Sequence, residues 1–299
     1  MDWWTEPFLL GLQQRALMGG LVAALMSSVV GVWLVLRGMS FFGDAFVHGV
    51  LPGIAAAMIA GFNPYLGAAI AALVMVGGIE LIHRQTALKE DTAIGLLFVG
   101  MMALGVTIIS KSKSYTAALN TILFGDIFGV TPETLATMAA LGTPVLLGSL
   151  LLYRPLLALS FSPTKASTLG MNPRFTHAAL LVLIATSVIA NFQAVGTLLV
   201  FGLLVGPPAT AALISRTVPQ MFVASIALGA LSVWLGLVLS YHLDTAGAAT
   251  ITLVAITLFF LTLAVTRVFG SAREARAHRA QADADRDEAG HDQAGAVAS

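Results

Sequence analysis

The sequence has no cysteine and very little charge. Without cysteine, neither a disulfide nor a thiolate metal site is available, so a metal would have to be held by His, Asp, Glu, Asn, Gln or backbone oxygen. Asp, Glu, Lys and Arg make up 10% of the 299 residues, against roughly 25% in a soluble globular domain. Hydrophobic residues make up 58%, and the mean hydropathy is +0.90. These figures exclude an ordinary soluble enzyme and define an all-α, polytopic helical membrane protein, with lipid as its first partner and no feature that would hold a nucleic acid. There is no G-x-x-x-x-G-K-[ST] loop, so the chain does not hydrolyse ATP by that route. Neither H-E-x-x-H nor G-x-S-x-G occurs, which removes the commonest metalloprotease and hydrolase arrangements. The first residues, Met1 to Pro7, lack a basic stretch and a cleavage site. They read as an interfacial anchor through Trp3 and Trp4 rather than as a signal peptide.

What the chain does have is long apolar runs. About nine are long enough to cross a bilayer: 14–36, 41–60, 65–83, 92–110, 132–153, 175–192, 196–215, 218–240 and 248–268. The sixth and seventh are nearly continuous, so eight or ten crossings also fit. Arg37, Arg84 with Lys89, Arg154 with Lys165 and Arg174, Arg216 and Arg267 fall on alternate connections. By the positive-inside rule nine spans put the N-terminus outside and the C-terminus in the cytoplasm. Lys111 and Lys113 dissent from this pattern. The apolar segment 114–126, too short to cross, reads as a half-helix or interfacial helix. Residues 1–269 form the membrane domain. The tail, 270–299, carries four arginines against six carboxylates and no apolar period, so a disordered cytoplasmic segment is expected.

One stretch, Arg37 to Gly53, stands apart. Asp44 and His48 are four residues apart inside an apolar span, and on a helix they share a face. An ionisable group in a span costs roughly 2.5–3.5 kcal/mol on insertion scales and usually faces a partner or a wet cavity. Two of them on one face suggest a cation site; the alternative is a polar pair that satisfies itself. Gly43, Gly49, Pro52 and Gly53 allow close backbone approach and a local break. Zinc usually takes four ligands, so one Asp and one His leave a cation short, and a homodimer would supply a second pair across its axis.

Weaker candidates follow. Asp126 is either a helix-end cap or a residue on an ion path. His242 and Asp244 lie at an outer connection where they could receive a delivered cation or simply be exposed. Gly206, Pro207 and Pro208 describe a broken helix that packs against protein or lines a pathway. Ser162, Pro163, Lys165, Ala166 and Gly170 belong to a run that reads as a short capped helix outside the membrane, a natural docking surface.

Several of these stretches together resemble the permease subunit of the zinc/manganese ABC importers. They are Gly43-Asp44-Ala45 to His48 with Leu51-Pro52-Gly53, Lys89 to Gly95, Leu123-Phe124-Gly125-Asp126, Gly196 to Val200 with Pro207-Pro208-Ala209, and the connection ending at Asp244, in that order over residues 10–268. Val47 and Gly49 flank His48 where serine and alanine are more usual in that family. The resemblance implies the type II fold of vitamin B12 and siderophore importers, in a bacterial plasma membrane. It also implies a homodimer with cytosolic ATPases on one side and a metal-binding solute-binding protein on the other. Asp44 and His48 would then be the metal ligands, 162–173 the ATPase-coupling segment, and Zn2+ the first cargo with Mn2+ second, no cofactor being permanently bound. A secondary carrier using Asp44 and Asp126 as proton or sodium sites is the alternative, although no inverted repeat is evident.

Overall fold

The computed structural model describes residues 3–85, 90–110, 125–168 and 170–268, and among these every regular element is a helix. A short 3-10 helix, Glu6–Leu9, leads into α1, Gly11–Leu36. Then follow α2 (Ser40–Gly49), α3 (Leu51–Ala60), α4 (Pro64–Gln85), α5 (Glu90–Ile109), α6 (Pro132–Leu151), α7 (Tyr153–Phe161), α8 (Pro163–Thr168), α9 (Pro173–Ile214) and α10 (Val218–Leu243). The last, α11, is Gly247–Val268. Nine segments among the described residues are long and apolar enough to cross a membrane. Their ends lie within a few residues of those expected from the sequence, with α2 and α3 sharing one span and α9 holding two. The half-helix expected over 114–126, the region around Lys111 and Lys113, Lys89, and the tail 270–299 lie outside the described residues, wholly or, for 114–126, up to Phe124.

The helix boundaries follow from local chemistry. Thr131 accepts the Thr134 N–H at 3.2 Å and Thr217 the Gln220 N–H at 3.4 Å. The Asn172 carboxamide oxygen accepts from the Arg174 and Phe175 N–H groups, each at 3.2 Å. Each cap is followed by proline in the first turn, at Pro132, Pro219 and Pro173, where its missing N–H costs nothing. At the other end of a span, Gly61 stops α3 in the left-handed region, at φ 74°.

The long helix α9 is two spans. Gly196 has φ 72° and ψ 168°, outside any helix. His177 accepts a hydrogen bond from Arg37, at the end of α1. A straight helix from His177 to Leu204 would run about 40 Å, yet Leu204 packs on Gly31, less than two turns from Arg37 on α1. The chain therefore reverses at Gly196. A Cβ on Gly125 would collide with the Gly196 backbone, so the segment before α6 seals that reversal.

α1 and α9 form the centre, and α2 and α10 pack on them. Trp33 of α1 is wholly buried, donates its indole N–H to the Ser149 hydroxyl at 2.7 Å, and meets Tyr153 and Phe222 edge-on. The double proline leaves the Leu203 and Leu204 carbonyls without their ladder donors. Gly31 lies directly against the Leu204 oxygen, where any side chain would collide. α4, α5, α6 and α11 are peripheral and turn large apolar groups such as Leu73, Val99, Leu150 and Leu253 outward, as a lipid-facing surface requires.

Candidate functional site

The site is built on the helix pair α2–α3. α2 begins beyond the left-handed Gly38 (φ 67°) and ends where Pro52 has no N–H to offer the His48 carbonyl four residues back. That carbonyl takes the Val50 N–H instead, so the helix is interrupted directly after the imidazole. Both glycines around the break are contact points: a Cβ on Gly49 would collide with the Met75 sulfur, and one on Gly53 with the Gly67 carbonyl oxygen. On the other side, Gly43 sits under Leu204, whose Cδ2 is 2.9 Å from where a Cβ would stand. These absences of side chain press the site helix onto α4 and α9.

Asp44 and His48 share the remaining face. Asp44 Oδ1 and His48 Nε2 are 3.4 Å apart, with side chains 29% and 24% exposed. Phe98 of α5 stands beside them, its ring 6.1 Å from the imidazole and 5.9 Å from Phe41. Two atoms each about 2.1 Å from a metal and separated by the tetrahedral angle lie about 3.4 Å apart. The separation is compatible with both atoms meeting one cation and equally with the two side chains pairing with each other. Among the described residues no group of three or more His, Asp or Glu is gathered in one chain, so a cation held here would need ligands beyond this pair.

The other sequence candidates lie elsewhere. Asp126 is exposed, and its Oδ1 accepts the Gly129 N–H at 2.8 Å, capping the turn before α6. His242 and Asp244 close α10, Asp244 in the left-handed conformation at φ 49°. A Cβ on Gly206 would stand 3.4 Å from that of Ala255 of α11, and Pro208 borders Gly31, so the Gly206-Pro207-Pro208 break lies at the seam of α9 with α1 and α11. α8 is a six-residue helix bounded by Ser162, with extended backbone, and by the left-handed Gly170 (φ 74°). Ala166 is 1% exposed and seats α8 on its own chain, while Ser167, Thr168 and Gly170 face outward. Pro163 and Lys165 belong to this helix, their side chains lying outside the described set.

One pair escaped the sequence reading. Arg37 donates from Nη1 to Nδ1 of His177 at 2.7 Å, and since guanidinium can only donate, that nitrogen must carry a lone pair. The bond ties the residue preceding the site helix to the first turns of α9, directly after α8. Arg37 read only as a topology marker and His177 had no role. The available signal was that each polar group stood at a span end next to a motif.

The fold defines a polytopic helical membrane subunit with a carboxylate–imidazole pair inside one span. The family described as ABC 3 transport matches residues 10–266. The chain belongs to that family, as the membrane permease subunit of an ABC transporter that is not itself the ATPase. Among relatives, it is 38% identical over 259 residues to the manganese import system permease protein ScaB of Streptococcus parasanguinis, covering 85% of this chain and 92% of that one. It is 31% identical over 259 residues to the chelated iron transport system membrane protein YfeD of Yersinia pestis, covering 87% of each. Among solved structures, PsaBC from Streptococcus pneumoniae in complex with Fab matches with TM-score 0.76 and 34% identity, over 85% of this chain and 91% of that one. An inward-facing ABC transporter described as of metal-chelate type matches with TM-score 0.69 over 84% and 85%, and at 16% identity it speaks to the fold alone. The motif resemblance and the type II permease fold are thus borne out.

Proposed function

We propose that this chain carries a divalent transition metal, manganese before iron or zinc, across the membrane as one half of a homodimer. The Asp44–His48 geometry carries this reading. A carboxylate and an imidazole 3.4 Å apart on an interrupted span are costly to hold in a membrane and must either satisfy each other or meet a cation, and a subunit that passes an ion favours the cation. The two relatives named above transport manganese and chelated iron by name. The expectation of zinc first has no support in them. A carboxylate oxygen with one imidazole nitrogen also suits manganese, whose sites favour oxygen.

The homodimer follows from ligand number. A two-fold axis beside the exposed face of Asp44 and His48 would bring four protein ligands to one ion. Arginines at the Arg37 end support a cytoplasmic side there and an N-terminus outside. An ATPase would then dock on α8, and a metal-binding solute-binding protein would deliver at the opposite end. The decisive experiment is uptake into vesicles holding the permease, its ATPase and its binding protein. ATP-dependent Mn2+ accumulation is expected. Accumulation driven by a proton or sodium gradient without ATP would establish a secondary carrier instead.

Two further outcomes are expected. Bulky residues at the outward positions, Ser167→Trp with Thr168→Trp, should prevent co-purification of the ATPase while the permease remains folded, because these side chains do not build the core. Undiminished co-purification would move the docking surface elsewhere. The Arg37–His177 bond ties the end of α1, just before the site helix, to the start of α9, just after the docking helix, so His177→Ala should reduce uptake several-fold with metal binding unchanged. Equal loss of binding and uptake would make His177 structural only.

A further inference from the structure

At the end of the molecule opposite Arg37, a cavity of about 640 Å³ opens between α1, α10 and the segment before α6, lined by Gln13, Phe128, Tyr241, His242 and Asp244 among others. Three of its polar groups can act as acceptors. Gln13 is 5% exposed and its Oε1 has no hydrogen-bond partner, a costly condition for a buried carbonyl-type oxygen. The Asp244 carboxylate has no partner among the described residues, and no Lys or Arg is among the described lining residues.

His242 supplies the third acceptor. Its Nε2 lies 2.9 Å from the Trp3 carbonyl oxygen, and a carbonyl only accepts, so Nε2 carries the proton. In the neutral ring, Nδ1 then holds a lone pair. Trp3 stacks on the imidazole at 4.2 Å with 6° between the planes, which locks the ring. A histidine whose far nitrogen donates to a backbone carbonyl has the tautomer and orientation of a metal ligand. Trp4, stacked on Trp234 at 5.5 Å, anchors the segment that supplies this carbonyl.

We infer that this cavity is a second divalent-cation site, in which His242 Nδ1, the Asp244 carboxylate and Gln13 Oε1 receive a partly hydrated ion before it reaches Asp44 and His48. The depression is wide and open to solvent. The ion would therefore keep part of its water shell, as suits a waiting position rather than a trap. The inference rests on the proposed divalent-metal function.

The test is direct counting of Mn2+ bound to the full-length permease in lipid nanodiscs, from the loss of the free-ion electron paramagnetic resonance signal. In an Asp44→Asn, His48→Ala background, one equivalent per chain is expected to remain. Adding His242→Ala and Asp244→Asn should remove it, and Gln13→Leu should weaken it several-fold. Asn tolerates the left-handed conformation of residue 244, so Asp244→Asn alone tests the site should the histidine variant fail to fold. An equivalent that survives all three changes overturns the outer site, as does a background that binds none. Wild-type binding and uptake in that background would instead overturn the Asp44–His48 assignment, leaving the two failures distinguishable.

Discussion

Asp44→Asn is expected to abolish metal uptake while the amount of permease in the membrane stays at the wild-type level, and His48→Ala should do the same. Asn keeps the shape of Asp but gives the cation no charge, and alanine at 48 removes a ligand outright. Neutralising a carboxylate within a span relieves an insertion cost of roughly 2.5–3.5 kcal/mol, so loss of transport cannot be blamed on poor insertion. Quantitative immunodetection in membranes beside Mn2+ uptake separates the two cases. If the protein itself disappears, Asp44 and His48 are a structural pair. A covalently linked dimer with one wild-type and one Asp44→Asn half then tests the shared site. Transport far below half the normal rate is expected, because each ion would lose one of its ligands. Retention of about half would mean two independent paths, and the two-fold site would be abandoned.

Gly53→Val should have the largest structural effect of any single change near the site. Gly53 and Gly67 each lie against the other's carbonyl oxygen, and the Ala71 methyl stands 2.8 Å from where a Gly53 Cβ would be. The obstacle is backbone on both sides, so rotamer changes cannot relieve it, and α3 and α4 must separate. Overpacking of this kind costs about 1–3 kcal/mol or more. Separation would also displace His48, one break away on the same span. A marked fall in thermal stability and in uptake is expected, measured on the purified permease and in cells. Gly77→Ala is the control, because no atom lies within 4 Å of its would-be Cβ and Ala is the better helix former by roughly 0.5–1 kcal/mol. A Gly53→Val protein as stable as Gly77→Ala would show that the crossing does not hold α3 in place.

Much of this protein is legible in one dimension because a bilayer makes severe local demands. Every crossing must be a helix of sufficient length that satisfies its own backbone. Apolar run length together with Asn63-Pro64, Asn172-Pro173 and Pro219 therefore located the spans to within a few residues. The Asp44–His48 pair was legible for the same reason: helical periodicity puts residues four apart on one face wherever the helix sits. Tertiary structure decided what depends on contact between distant segments. A break between the sixth and seventh apolar runs is expected from the sequence, but its place at Gly196 and the packing of Leu204 on Gly31 that follows from it are decided by the fold. The Arg37–His177 bond and the cavity uniting Gln13 with His242 and Asp244 join residues far apart in sequence, which no periodicity encodes. Ala166, read as part of a docking surface, proved to face its own chain, because a six-residue helix has too few positions for its pattern to show which side is buried. Local rules set where the helices are, and packing of small residues against distant backbone sets which of their polar groups meet.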